Sequence, residues 1–261
     1  MRTPIVYYGG KLSILNELLP LFPNHKIYTE PFMGGGAVYF AKEPSQSEII
    51  NDTNNFVCNF YTILKTHYTA IKKTVDSTLF SRSTYKVALT MYTTPHLFND
   101  IQKAWAFWVL TNQGFSGIIG SWSYDKDSSK VKTFNTKKLR FTKELAQRLE
   151  HTQVENNDAI KVIQSRDTVD TFHFIDPPYV GADQGHYKGY TRQDFIELLE
   201  TLALLDGKFL MTTYDSELLD TYVKKYGWFQ KKLDKPLTSS NSKTPKRKRK
   251  VEVLTTNYKI Q

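Results

Sequence analysis

Apolar and polar positions follow two rhythms along the chain. Leu12, Leu15, Leu18 and Leu19 fall at helical spacing and Pro23 ends the run, which predicts a helix over 12–22. Residues 27–30 predict a short strand that runs into Pro31-Phe32-Met33-Gly34-Gly35-Gly36, followed by a helix over 37–42. Residues 47–52 predict a second strand with Asp52 at its tip. Strand, glycine-rich turn, helix, strand and Asp in that order form the half-sheet that binds dinucleotide-like ligands.

The rhythm changes near residue 57. Residues 56–75 and 100–113 predict helices, and 112–141 mixes Gly, Ser, Asp, Lys and aromatics in the manner of a polar hairpin or loop. A helix over 142–151 follows, and then Thr171-Phe172-His173-Phe174-Ile175 predicts a buried strand. A helix over 195–205, a strand over 208–212 and a helix over 218–225 complete the pattern. The α/β alternation stops near 57 and resumes near 150, so one α/β domain (1–56 and 148–261) interrupted by a mainly helical insertion (57–147) is expected.

Charge sharpens this division. The chain carries +9 overall. Residues 57–150 hold 14 Lys/Arg against 6 Asp/Glu, and 231–250 hold 9 against 1, so each zone contributes +8 and the remainder is −7. An acidic-leaning body with two basic zones points to a polyanionic partner, with two solvated surfaces as the plain alternative. A hydrophobic content of 40% excludes a wholly disordered or fibrous chain. Cys58 is the lone cysteine, which excludes an internal disulfide and a Cys-based zinc cluster, and the six histidines show no metal spacing. The longest apolar run, 104–110, falls far short of the roughly 20 residues a membrane-spanning helix needs. Pro4, Lys11, Glu17 and Pro20 break any signal-peptide core. A soluble, cytoplasmic protein of a reducing compartment is expected, with no metal and no membrane.

The strongest chemical signal is Asp176-Pro177-Pro178-Tyr179, directly after the apolar run 172–175. Ligands bind at the carboxyl ends of strands in open α/β sheets. Two consecutive prolines remove two backbone donors and fix the chain's direction, leaving carbonyls to accept. A carboxylate and a neighbouring carbonyl at a rigid separation complement an NH₂ group, and an aromatic ring beside them can stack on the planar system that bears it. The set suits the exocyclic amine of a nucleobase. Gripping both hydrogens would localise the nitrogen's conjugated lone pair and stabilise positive charge arriving there. A mere turn after a strand is the bland reading, weakened by the glycine-rich turn upstream.

In motif order the chain resembles the Dam-type (D12 class) DNA adenine-N6 methyltransferases that use S-adenosylmethionine. Tyr7-Tyr8-Gly9-Gly10-Lys11 is similar to the N-terminal motif, Glu30 to Gly36 to the cofactor motif, and Asp52 to the ribose-binding acid. Asn157-Asp158 resembles the acidic motif near the cofactor's adenine, residues 176–179 the catalytic motif, and 252–258 the closing strand. The resemblance implies a Rossmann-like methyltransferase fold with a mixed sheet, and a target-recognition domain in the insertion that includes a β-hairpin. It implies cofactor contacts at Tyr7, Lys11, Phe32, Gly34, Gly36, Asp52, Asp158 and Asp176, with Lys11 near the cofactor's methionine end. Asp176, Pro177, Pro178 and Tyr179 would form the catalytic set. Gly34 and Gly36 suit a close backbone approach and unusual φ values, and Asp52 suits a pair of ribose hydroxyls.

The resemblance also implies double-stranded DNA as partner, with the target base flipped into the pocket at Tyr179. Phe115, Trp122, Tyr124, Lys126, Lys130 and Lys132 are candidate DNA contacts in the insertion, and Lys246 and Arg247 in the second basic zone. Pro245 to Val251 reads alone as a nuclear localisation signal, and in a family mostly bacterial or phage-borne as a phosphate-facing loop. Residues 118–124 depart from the Arg- and Asn-bearing pattern of GATC-specific members, so that specificity is not implied. Residues 180–191, rich in glycine and tyrosine, suit a mobile lid. Cytosine-N4 methylation, methylation of RNA or of a protein glutamine, and a DNA-binding homologue without catalysis are the rival readings. A cognate restriction endonuclease is a further partner the family allows.

Overall fold

A computed structural model describes residues 1–7, 9–180, 189–233 and 252–260. Seven strands form one sheet: β1 (Ile27–Glu30), β2 (Ser47–Asn51), β3 (Thr152–Glu155), β4 (Thr171–Ile175), β5 (Lys208–Tyr214), β6 (Phe229–Leu233) and β7 (Glu252–Thr256). Their order is β3-β2-β1-β4-β5-β7-β6. Neighbours from β3 to β5 pair in parallel, and β7 runs antiparallel between β5 and β6. This is the mixed sheet expected of a Rossmann-like methyltransferase.

The helices are α1 (Leu15–Leu18), α2 (Ala37–Ala41), α3 (Asn55–Thr66), α4 (Tyr68–Ser77), α5 (Arg82–Thr93) and α6 (Asp100–Gln113), then α7 (Ser129–Leu139), α8 (Lys143–Arg148), α9 (Ala159–Arg166), α10 (Arg192–Ala203) and α11 (Glu217–Tyr226). The single helix expected over 12–22 is broken instead: α1 lies between 3-10 turns at Lys11–Ile14 and Leu19–Leu21, and at the second of these Pro20 denies the chain an amide donor. The helix expected over 56–75 divides at His67, whose φ of −130° and ψ of 37° leave the helical region.

Strand alternation sorts the core into two faces. Phe172, Phe174, Leu210 and Leu254 pack with α2, α3 and α6, whereas Ile175, Phe209, Met211 and Val253 pack with Phe195, Leu198 and Leu199 of α10 and Leu219 of α11. The first cluster continues without a break into the insertion through Trp108, Phe134 and Phe141. The indole of Trp108 and the amide of Asn112 both donate to the Pro4 carbonyl at 3.1 Å.

The β-hairpin expected within 112–141 is replaced by a loop and a helix. Gly114 and Trp122 share one antiparallel bridge, closed by Phe115 N–H to the Ser121 carbonyl at 2.7 Å and Ser123 N–H to the Gln113 carbonyl at 3.0 Å. Gly114 lies so close to the α6 carbonyls that a Cβ would stand 2.5 Å from the Leu110 oxygen, and Ser116 adopts a left-handed φ of 53°. Beyond it, Asp127 Oδ1 accepts from Ser129 N–H and Asp125 Oδ2 from Val131 N–H, which satisfies the first amides of α7.

Candidate active site

Four strands end at one crevice. Phe32 follows β1, Thr53 to Phe56 follow β2, Asp158 to Ile160 follow β3 and Pro178 follows β4. They line a cleft of about 640 Å³ closed on the far side by Tyr190, Asp194 and Glu197 and by Tyr92 of α5. The sheet reverses direction of progression between β1 and β4, so the cleft lies at the topological switch point.

The glycine-rich turn is held tightly. Gly34 and Gly36 have φ of 48° and 62°, values that favour glycine. The buried Asp52 accepts Gly34 N–H at 2.7 Å on one oxygen and Asn54 N–H at 2.8 Å on the other, which ties the turn to the end of β2. Tyr7 packs against Gly35, where a Cβ would stand 2.7 Å from the Tyr7 Cβ, and its hydroxyl accepts from the Asn54 amide at 3.4 Å. The Gly35 carbonyl accepts from Tyr61 at 2.9 Å. Asp158 is exposed and caps α9 through Lys161 N–H at 3.1 Å, on the rim of the cleft. Phe32 meets the Tyr190 ring edge-on at 6.4 Å.

Asp176 stands one residue beyond β4. Its Oδ1 accepts from Thr212 of β5 at 2.6 Å, from the Lys11 ammonium at 2.8 Å and weakly from the Tyr179 hydroxyl at 3.4 Å. Every contact described for this carboxylate falls on Oδ1. Lys11 also faces Glu252 at 3.5 Å and donates to the Gly9 carbonyl at 3.0 Å. The expected cofactor-facing Lys11 is thus placed on two protein carboxylates. Burial alone would lower its pKa, but Asp176 and Glu252 outweigh burial and raise it, so the ammonium stays charged. The Tyr179 hydroxyl donates to Glu252 at 2.8 Å, and its ring meets Tyr214 edge-on at 4.5 Å. Burial, aided by the two carboxylates, pushes the Tyr179 hydroxyl well up and keeps it a donor.

Three residues of this cluster, Thr212, Tyr214 and Glu252, were not among the expected site residues. A fourth, Glu30, entered only as part of the cofactor motif. Register explains the first three: Tyr214 pairs with Glu252 across β5 and β7, and alternation puts Thr212 and Tyr214 on one face. Glu30 ends β1 buried, accepting from Tyr28 at 2.8 Å. Burial, with a smaller push from Asp176, raises its pKa to about 8.

The candidate DNA contacts of the insertion gather round the 114–123 loop. Phe115 and Tyr124 are exposed, and Lys126 and Lys132 extend into solvent. Lys130 reaches the Ser123 hydroxyl and lies 5.6 Å from the Phe115 ring centre. Trp122 is half-buried between Phe80 and the Arg82 guanidinium, 4.6 Å from its ring. Lys246 and Arg247, and 181–188 of the expected lid, lie outside the described residues. Among the described residues no group of His, Cys, Asp and Glu has metal-site geometry, and no helix is long and apolar enough to cross a membrane.

Residues 7–235 match the family of D12 class N6 adenine-specific DNA methyltransferases. The chain belongs to that family. It is 28% identical to the retron Ec67 DNA adenine methylase of Escherichia coli over 77% of this chain and 72% of that protein. It is 22% identical to the type II methyltransferase M1.LlaDCHI of Lactococcus lactis subsp. cremoris over 96% and 93%. A shorter match, 28% identical over 45% of the chain, falls on the DNA N-6-adenine-methyltransferase of Escherichia phage P1 and spans 16% of that protein. For a D12 methyltransferase, the placing of the glycine turn and Asp176 after the carboxyl ends of the adjacent strands β1 and β4 is the arrangement that bears on chemistry.

Proposed function

We propose that this chain transfers the methyl group of S-adenosylmethionine to N6 of adenine within a short recognition sequence of double-stranded DNA. The reading rests on one observation above all: Asp176, one residue beyond β4, keeps its described contacts on Oδ1, and Pro178, two residues further on, lines the cleft. Oδ2 and the Pro177 carbonyl are then the two acceptors for the amino hydrogens, with Tyr179 as the stacking platform.

The cleft suits the cofactor on chemical grounds. Phe32, Ile160 and Pro178 offer apolar faces to a purine, Asp158 offers an acceptor at the rim, and the volume is of nucleoside scale. On this reading Asp52, which ties the glycine turn to the end of β2, is the acid at the ribose end, and Tyr7, Gly34 and Gly36 shape the approach. When bound, S-adenosylmethionine supplies the methyl group, its C–S bond breaking with the electron pair kept by sulfur. N6 forms the new C–N bond with its own lone pair and loses one proton to Asp176 Oδ2. Lys11 and Thr212 fix the carboxylate so that this oxygen needs no reorganisation.

The base must leave the duplex to reach this point. Residues 57–147 serve as the target-recognition unit on this reading, with Phe115, Trp122, Tyr124, Lys126, Lys130 and Lys132 toward DNA, and 1–56 with 148–261 as the catalytic unit. Asp176→Ala is expected to abolish methyl transfer while duplex affinity stays within about threefold, since Asp176 touches one base amine among many phosphate contacts. Filter-bound label and fluorescence anisotropy read the two separately. A variant that methylates normally, or loses duplex binding with turnover intact, overturns the assignment.

A further inference from the structure

Lys11 and Asp176 cancel each other's formal charge, yet the reaction proposed above delivers positive charge to N6 beside them. A neutral pair stabilises that charge poorly. Glu252 changes the balance. It lies against the same ammonium at 3.5 Å, so one cation faces two carboxylates and the cluster carries a net charge of −1. We infer that Glu252 is a positioning residue of the methyl transfer: through Lys11 and the Tyr179 hydroxyl it keeps Asp176 electrostatically available to the amine. This rests on the adenine-N6 reading.

The surroundings support the count. Among the described residues, the charged or titratable groups facing Asp176 are Lys11 before α1, Glu30 from β1, Tyr179 after β4 and Glu252 from β7; Glu30 acts on it through space. Glu30, with a pKa of about 8, is largely protonated at pH 7 and adds little charge. Thr212 is neutral and fixes direction only. Glu252 therefore supplies the excess negative charge. It also holds Tyr179 at 2.8 Å, which sets the angle of the ring meant to receive the base.

Glu252→Gln preserves shape and the acceptor for Tyr179 while removing the charge. With plasmid DNA as substrate and labelled S-adenosylmethionine as donor, kcat is expected to fall roughly 10- to 100-fold, the effect of one unit charge a few ångströms away in a partly screened site. KM for the donor, and Kd for a mixed-sequence duplex measured without donor, should stay within about twofold. The donor-free fluorescence of duplexes carrying 2-aminopurine at adenine positions should match wild type, showing an intact pocket. Glu252→Asp should recover most of the rate. Because Glu252 acts on Asp176 largely through Lys11, the pair Lys11→Met with Glu252→Gln should lose less than the product of the two single losses.

Wild-type kcat in Glu252→Gln, or a double variant whose loss is the product of the single losses, overturns the inference. Should Glu252→Gln fail to fold, Glu252→Ala decides the same question: kcat is expected to fall at unchanged duplex Kd, and wild-type kcat overturns the inference. A wild-type protein that leaves adenine unmodified sinks the adenine-N6 reading itself, whereas turnover untouched in Glu252→Gln sinks this inference alone.

Discussion

A carboxylate that grips a neutral amine must be held on one oxygen and open on the other, and Asp176 meets this with Lys11 and Thr212 on Oδ1. Its neighbour Glu30 shows the opposite economy: a buried acid with a tyrosine hydroxyl as donor and a pKa of about 8, against an ordinary 4.5. Between those two values the unfolded chain has lost a proton that the folded chain retains. Stability must therefore fall as pH rises from about 4.5 to 8 and level off above it. Glu30→Gln removes that slope. Urea unfolding at pH 6 and 8 is expected to show wild type losing stability between the two values, by less than about 1.4 kcal/mol per pH unit, and the variant nearly unchanged. An identical slope in both proteins would show that Glu30 is ionised when folded.

Among elements, the connection of α2, β2 and α8 is the most exacting. Glu48 of β2 takes both nitrogens of Arg148 at the end of α8, and also Lys42 just beyond α2, with all three side chains buried. The guanidinium also lies over the Tyr39 ring at 3.9 Å. Glu48→Gln leaves two buried cations facing a neutral amide and should cost about 3–5 kcal/mol, measured as a loss of unfolding free energy. A loss below 1 kcal/mol would mean that water reaches the trio. Elements with a strong local signature were legible in the sequence. β1 with its glycine turn, β4 with Asp176 to Tyr179, and α6 over 100–113 stand where their patterns put them. α5, α7, α9, β3 and β6 were not. α7 is polar, with Phe134 its one fully buried side chain, and its start depends on Asp125 and Asp127. β3 and β6 are sheet edges whose exposed residues weaken the apolar signal. Glu252 and Thr212 could not be joined to Asp176 from sequence, because strand order and register, not spacing, bring them together.

At the scale of the whole molecule, one apolar cluster runs from the sheet into the segment between β2 and β3, so the 114–123 loop and the cleft are parts of a single packed body. The same segment lends Tyr92 to the cleft, its ring tilted against Phe56 at 4.2 Å. Two of its cations lie in the open. Lys126 and Lys132 are exposed and without an ion pair among the described residues, which fits contact with phosphates. Replacing both with Ala should weaken duplex binding uniformly across sequences and flatten the plot of log Kd against log salt by about 2. An unchanged slope would place DNA on another face. If Asp176 and its neighbours act on the amine of adenine, the identity of the modified base must show it. Modification-sensitive long-read sequencing of DNA from cells producing this chain, beside cells producing Asp176→Ala, should show N6-methyladenine in one recurring short sequence with the first and none with the second. Unmodified adenine throughout, or N4-methylcytosine in its place, would contradict it.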